Sequence, residues 1–243
     1  MGNGVDADEG ERRPRRRSIA VAMAGALVLA TVVALGAAAW FVWLPSHRPS
    51  LEAGERYGID VSNHQGPIDW DEVAGDGIEF AYVKASEGGD FVDQRFRDNW
   101  TGAEAAGLDR GAYHFFTLCR SGAEQARNFL RTVPPDPDAL PPAVDLELAG
   151  NCSERPDPAS VRHELDAFLD QVERETGQRA VLYVGDDFEG RYPVRDELDR
   201  PLWHRRVMIR PDVEGWWIWQ VQGHASVDGI QGDVDLNVMR TPA

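Results

Sequence analysis

Ala143-Val144-Asp145-Leu146-Glu147-Leu148 reads as an interior strand of an α/β protein, interrupted by two acids. Side chains alternate across a strand, so Asp145 and Glu147 share one face, about 7 Å apart along the chain. Val144, Leu146 and Leu148 face the other way. A carboxylate set among hydrophobes loses hydration and needs compensation, so this pair calls for a reason beyond folding.

Working outward, the same kind of segment recurs on both sides. Residues 57–61, 79–84, 111–116 and 179–184 are short runs rich in apolar, β-branched and aromatic side chains. Helical spacing fills 94–106, closed by Gly107, and 122–133. The span 157–176 is the clearest helix. Asp157 can cap it, Pro158 suits the first turn, Val161, Leu165, Phe168, Leu169 and Val172 form one apolar face, and Gly177 ends it. Repeated strand–helix units imply parallel pairing with right-handed crossovers. After Tyr192 the pattern changes: 201–207, 216–222 and 234–239 read as strands joined by connections too short for full helices. An irregular barrel fits this better than an open sheet. No Gly-rich loop opens a helix after the first strand, which removes the dinucleotide-binding signature.

Residues 19–44 carry no charged side chain, and 19–39 alone are long enough to cross about 30 Å of hydrocarbon. Arg12, Arg13, Arg15, Arg16 and Arg17 precede this span and only Arg48 soon follows, which holds the N-terminus in the cytoplasm. A cleaved signal peptide is the rival, since Leu35-Gly36-Ala37-Ala38-Ala39 resembles a cleavage site, but signal cores run only about 7 to 15 residues. Trp40, Phe41 and Trp43 also suit an interface anchor. The expected organisation is a cytoplasmic tail (1–17), a transmembrane signal-anchor helix (18–44), a linker (45–56) and one periplasmic or extracellular domain (57–243).

The chain carries a net charge of −16, and the segment before the helix is net +1, leaving −17 for the exported part. That acidity argues against nucleic acid as a partner. Cys119 and Cys152, the two cysteines, both lie in the exported part and follow neighbouring strands, so they are expected to pair. Closing that loop would add roughly 3 to 4 kcal/mol on the chain-entropy model.

In parallel barrels, chemistry gathers at the C-terminal ends of the strands. Asp60 ends the first strand, Asp145 and Glu147 end the fourth, and Asp235 lies on the last. Carboxylates so crowded suit acid-assisted glycoside cleavage: one keeps its proton for the leaving oxygen while the others face a positively charged transition state.

Six ordered motifs carry a resemblance. Tyr57-Gly58-Ile59-Asp60-Val61-Ser62-Asn63-His64-Gln65-Gly66, Tyr82-Val83-Lys84-Ala85-Ser86-Glu87-Gly88, Gly111-Ala112-Tyr113-His114-Phe115, Asp145-Leu146-Glu147, Trp219-Gln220 and Val234-Asp235-Leu236-Asn237 resemble those of glycoside hydrolase family 25, the Chalaropsis-type lysozymes. The likeness runs over 57–239. It implies an α/β fold, a flattened TIM-like barrel of the (β/α)5(β)3 type, and cleavage of the β-1,4 bond between N-acetylmuramic acid and N-acetylglucosamine. By motif, Glu147 corresponds to the proton donor, Asp145 orients the substrate's acetamido group or stabilises the developing cation, and Asp60 and Asp235 complete the cluster. Whether a carboxylate or the substrate's own acetamido oxygen attacks stays open. The implied partners are peptidoglycan strands and the bilayer, with a monomeric chain and no cofactor.

Tyr113, Tyr183 and Trp219 are candidates to line the sugar site, with Gln220 as a polar contact. His64 and His114 lack metal-ligand spacing, so no metal is expected. Lys84 and Glu87 are expected to form a supporting ion pair. The sequence departs from the family after Pro201-Leu202-Trp203, where His204, Arg205 and Arg206 replace an alanine and an aromatic. Two other classes use the same residues: a catalytically silent peptidoglycan-binding module, and a metal-dependent hydrolase on the same barrel.

Overall fold

The computed structural model describes residues 12–38, 40, 43–212 and 215–241, so the expected tail is largely outside the described residues. The chain divides between His47 and Arg48 into two compact units. The first contains helix α1 (Arg12–Ala38) and the single turn α2 (Leu44–Ser46). Its window Val21–Ala38 has mean hydropathy 2.3 and none of it is buried. An apolar helix of this length near the N-terminus fits a membrane span or a signal sequence.

The second unit is an α/β barrel. In chain order it contains β1 (Glu55–Val61), α3 (Trp70–Gly75), β2 (Phe80–Glu87), β3 (Phe91–Val92), α4 (Phe96–Ala105), β4 (Asp109–Phe115), α5 (Gly122–Thr132) and β5 (Ala143–Leu146). There follow α6 (Pro158–Thr176), β6 (Val181–Val184), α7 (Asp186–Glu189), β7 (Leu202–Arg205), β8 (Trp216–Ala225) and β9 (Val234–Arg240). Around the barrel, β1, β2, β4, β5, β6, β7 and β8 each run parallel to the next. β9 lies antiparallel to both β8 and β1 and closes the ring. Five strand–helix units followed by three strands is the expected plan, and β3 is a two-residue hairpin partner on the end of β2.

Local chemistry explains the elements. Asp157 accepts from the Ser160 amide at 3.0 Å to cap α6, and Gly177 ends that helix in the left-handed conformation at φ 71°. α5 crosses α6 at Gly122, where a Cβ would sit 1.7 Å from the Glu164 carbonyl oxygen. Strand residues then sort by parity. Outward side chains such as Ile59, Val83, Val144, Leu146, Leu182 and Leu236 meet Phe129, Leu165, Phe168 and Leu169 of the helices in the main core. Inward side chains Phe80, Tyr82, Val181, Trp203, Ile218 and Met239 fill the lower barrel. Gly58 and Gly111 stand opposite Phe80 and Tyr82 in register, and their missing Cβ atoms leave the space those rings occupy. Each large apolar side chain so buried contributes about 1.5 to 3 kcal/mol.

Two features differ from expectation. Residues 48–56, read as tether, belong to the barrel unit: Arg48 pairs with Asp76, the Tyr57 hydroxyl donates to the Pro49 carbonyl, and Arg210 donates to the Ser50 carbonyl at 2.9 Å. Polar contacts without apolar periodicity hold this segment. The short elements α3, β3 and α7 were also not anticipated, because two to six residues carry too little periodicity to read. Cys119 and Cys152 are bonded, tying the loop after β4 to the loop after β5.

Candidate active site

A cavity of about 380 Å³ opens where the parallel strands end, and all four acids line it. β1 and β9 pair with Asp60 directly opposite Asp235. Like charges facing each other across a ladder repel, and here a side-chain hydrogen bond between the two carboxyl groups offsets part of that repulsion. Burial, then the charge of Asp235, pushes Asp60 well above the usual carboxylate range. Burial raises Asp235 to about 6, held back by Arg205. Asn237, two residues on and facing the same way, donates to Asp60 Oδ2 at 2.7 Å and accepts from Trp203 Nε1 at 2.9 Å. The indole therefore fixes the amide that fixes the acid.

Asp145 faces inward from β5. Its Oδ1 is buried without a hydrogen-bond partner among the described residues. Burial and the neighbouring Glu147 push its pKa well up, while Lys84 opposes this. Lys84 forms the expected pair with Glu87 at 2.8 Å and stands over the Phe115 ring at 5.0 Å.

Glu147 sits one residue beyond β5. Asn151 holds its backbone, donating to the Glu147 carbonyl at 3.0 Å and the Phe116 carbonyl at 2.8 Å, beside the disulfide at Cys152. Gly185 beside it leaves room for Asp187, since a Cβ there would lie 2.7 Å from Asp187 Oδ1 but in ordinary contact with Glu147 Cγ at 3.5 Å. Burial raises Glu147 above an ordinary glutamate; the Tyr183 hydroxyl, 3.2 Å from Oε1, and Arg205 oppose the rise. Tyr183 also reaches Gln220 Oε1 at 3.0 Å. One phenol proton can serve one of these acceptors, so a protonated Glu147 leaves Tyr183 free to donate to Gln220.

The structure brings Asp60, Asp145, Glu147, Asp235, Tyr113, Tyr183 and Gln220 to one cavity and excludes Trp219. Trp219 is 1% exposed, lies in the outer core against Trp216 and donates to the Arg206 carbonyl. Alternation decides this: Gln220 faces inward, so its neighbour Trp219 faces the outer core. The aromatic that lines the cavity from this side is Trp203 on β7, joined by Arg205, and sequence reasoning assigned a role to neither. His64 lies at the cavity wall. His114 is buried outside it, 2.8 Å from Ser86 Oγ and 3.1 Å from Gln125 Oε1; burial lowers its pKa to about 3 and keeps it neutral. Among the described residues, no group of three or more His, Cys, Asp or Glu is arranged to hold a metal ion.

Comparison with known proteins bears on the same cavity. Residues 59–230 match Glycosyl hydrolases family 25. The chain is 37% identical over 190 residues to the uncharacterized protein YegX of Escherichia coli K12, covering 75% of this chain and 68% of that one. It is 33% identical over 195 residues to Lysozyme M1 of Streptomyces globisporus, covering 74% and 66%. The solved family 25 glycosyl hydrolase of Bacillus anthracis superposes with a TM-score of 0.73 at 32% identity, over 81% of this chain and 94% of that one. The chain belongs to glycosyl hydrolase family 25, the family of lysozymes and muramidases.

Proposed function

We propose that this chain is a membrane-tethered muramidase that cleaves the β-1,4 bond between N-acetylmuramic acid and N-acetylglucosamine in peptidoglycan, with Glu147 as proton donor. The observation that carries the reading is a glutamate partly open to the cavity, raised in pKa by burial and set beside three half-buried acids. The kinship with Lysozyme M1 and with the N,O-diacetylmuramidase of Chalaropsis supports the substrate class.

In this reading Glu147 gives its proton to the glycosidic oxygen as the C–O bond breaks and its electron pair leaves with that oxygen. Positive charge grows on the anomeric carbon and ring oxygen. Asp145 faces that charge or accepts from the acetamido N–H; burial and Glu147 hold its pKa well up against Lys84, and the positive charge that grows in the transition state is what favours its ionised form. Asp60 and Asp235, sharing one proton, complete the anionic wall. Water supplies the final oxygen at the anomeric carbon, and its proton returns to Glu147. Tyr113, Tyr183 and Trp203 offer ring faces and edges to the sugars.

Digestion of purified peptidoglycan by the detergent-solubilised full chain tests this. New N-acetylmuramic reducing ends, identified by mass, are expected, with turnover lowered about 10³-fold in Glu147→Gln. Saturable binding to unchanged polymer would instead mark a silent binding module. The tether rests on helix α1 and the arginines before it. Retention in the membrane pellet after an alkaline carbonate wash is expected; release of a shortened chain would mark a cleaved signal.

A further inference from the structure

A lysine and an arginine line the acidic cavity, Lys84 and Arg205. Lys84 is committed to Glu87. The Arg205 side chain has no ion pair or hydrogen bond among the described residues. Its neighbours on the same connection do: Arg206 pairs with Asp212 at 2.9 Å, and Arg210 with Glu55. Arg205 ends β7 with the inward parity of Trp203 and stands opposite Gln220 in register. It is close enough to influence Glu147, Asp235 and Tyr183 electrostatically, so it overlooks the bond-breaking end of the cavity.

The substrate class in the proposed function has an anion of its own. N-acetylmuramic acid carries a lactyl ether on the sugar, ending in a carboxylate that is free in peptide-stripped glycan and becomes a neutral amide when a peptide is attached. A chain of net charge −16 with four acids in its cavity repels such a group unless one cation is reserved for it. A guanidinium matches a carboxylate with two parallel N–H donors.

Resting on the muramidase reading, we infer that Arg205 is a specificity-determining residue that pairs with the free lactyl carboxylate of N-acetylmuramic acid, so that the enzyme favours glycan stripped of its peptides. The carboxylates of attached peptides lie farther from the scissile bond and are the competing source of the same chemistry. A reaction that hydrolyses the lactyl–peptide amide must then supply the preferred substrate.

The test compares three oligosaccharides of alternating N-acetylglucosamine and N-acetylmuramic acid: lactyl carboxylates free, amidated, or joined to peptides with their own carboxylates. The quantity read is the ratio of kcat/KM values, which cancels any effect of Arg205 on the shared catalytic acid. The native chain is expected to favour the free acid over the amide about tenfold, mainly through KM, and less as salt is added. Arg205→Ala brings the ratio near one, and Arg205→Lys restores part of it. Binding of the same ligands to Glu147→Gln protein reads the preference without turnover. Absence of cleavage with that binding preference intact would overturn the muramidase reading alone. Equal ratios in native and Arg205→Ala protein, or an equal advantage for the peptide-bearing arm, would overturn the assignment of Arg205.

Discussion

On the outer face of β4, His114 is enclosed by Ser86 and Gln125, and Gln125 also accepts from the Thr117 amide at 2.8 Å and donates to the Thr117 carbonyl at 2.9 Å. On the inner face of β5, Asp145 keeps a buried oxygen without a partner, and Asp60 faces Asp235 across a strand pair. Both clusters are polar, withdrawn wholly or half from solvent, and built on neighbouring strands. In the first, every donor meets an acceptor, the imidazole stays neutral and the cluster joins β2, β4 and α5. In the second, like charges are forced together and their protons are held higher than in water. Burial alone therefore does not distinguish structure from chemistry; satisfaction does. The acidic mouth is stable because the floor below it and the helix layer around it are well packed.

If that contrast is right, the two clusters should respond oppositely to neutral substitutions. Asp145→Asn should lower kcat by about 100-fold or more while leaving Tm unchanged or higher at pH 7, because it keeps the shape and removes an acid whose ionisation burial and Glu147 oppose. Steady-state hydrolysis and calorimetry on one preparation measure both, and a large fall in Tm would break the comparison. Gln125→Ala should do the reverse. It leaves the His114 ring and the Thr117 amide without an acceptor, at roughly 2 to 4 kcal/mol, or about 10 °C in Tm, with kcat of the folded enzyme retained.

The smallest effect concerns pH. The native state holds the Asp235 proton up to about pH 6, whereas an unfolded aspartate releases it near 4. Between those values the native chain binds more protons than the unfolded one, so this group's contribution to stability falls as pH rises. Asp235→Asn removes that loss. Its Tm should match the native protein near pH 4 and exceed it by a few degrees at pH 7; a lower Tm at pH 7 would show that the ionised acid is stabilising.

The same distinction governs what the sequence reveals. Strand parity and helix caps are local, so the alternation through Val144, Asp145, Leu146 and Glu147 and the Asp157 and Gly177 ends of α6 were legible. The closing antiparallel pair and the Asp60–Asp235 register depend on residues about 175 apart and were legible only through the family likeness. Trp219 was misassigned because ring chemistry suits a sugar face and an outer core equally. Parity held the correction, since Gln220 and Trp219 cannot both face the cavity. Trp203 and Arg205 share one parity on β7, which would have found them together. Residues 48–56 escaped because ion pairs and single hydrogen bonds leave no periodic trace.

The central claim is that Glu147 holds a proton at a pH where an ordinary glutamate has lost it, and that this proton drives cleavage. The most direct measurement is the titration of the Glu147 carboxyl carbon by NMR, assigned by its loss in Glu147→Gln and set beside the pH dependence of kcat/KM. A midpoint above the ordinary glutamate value of about 4.3, coincident with the alkaline limb of the rate profile, is the predicted result. A midpoint at or below the ordinary value, or a limb that does not follow it, would contradict the account.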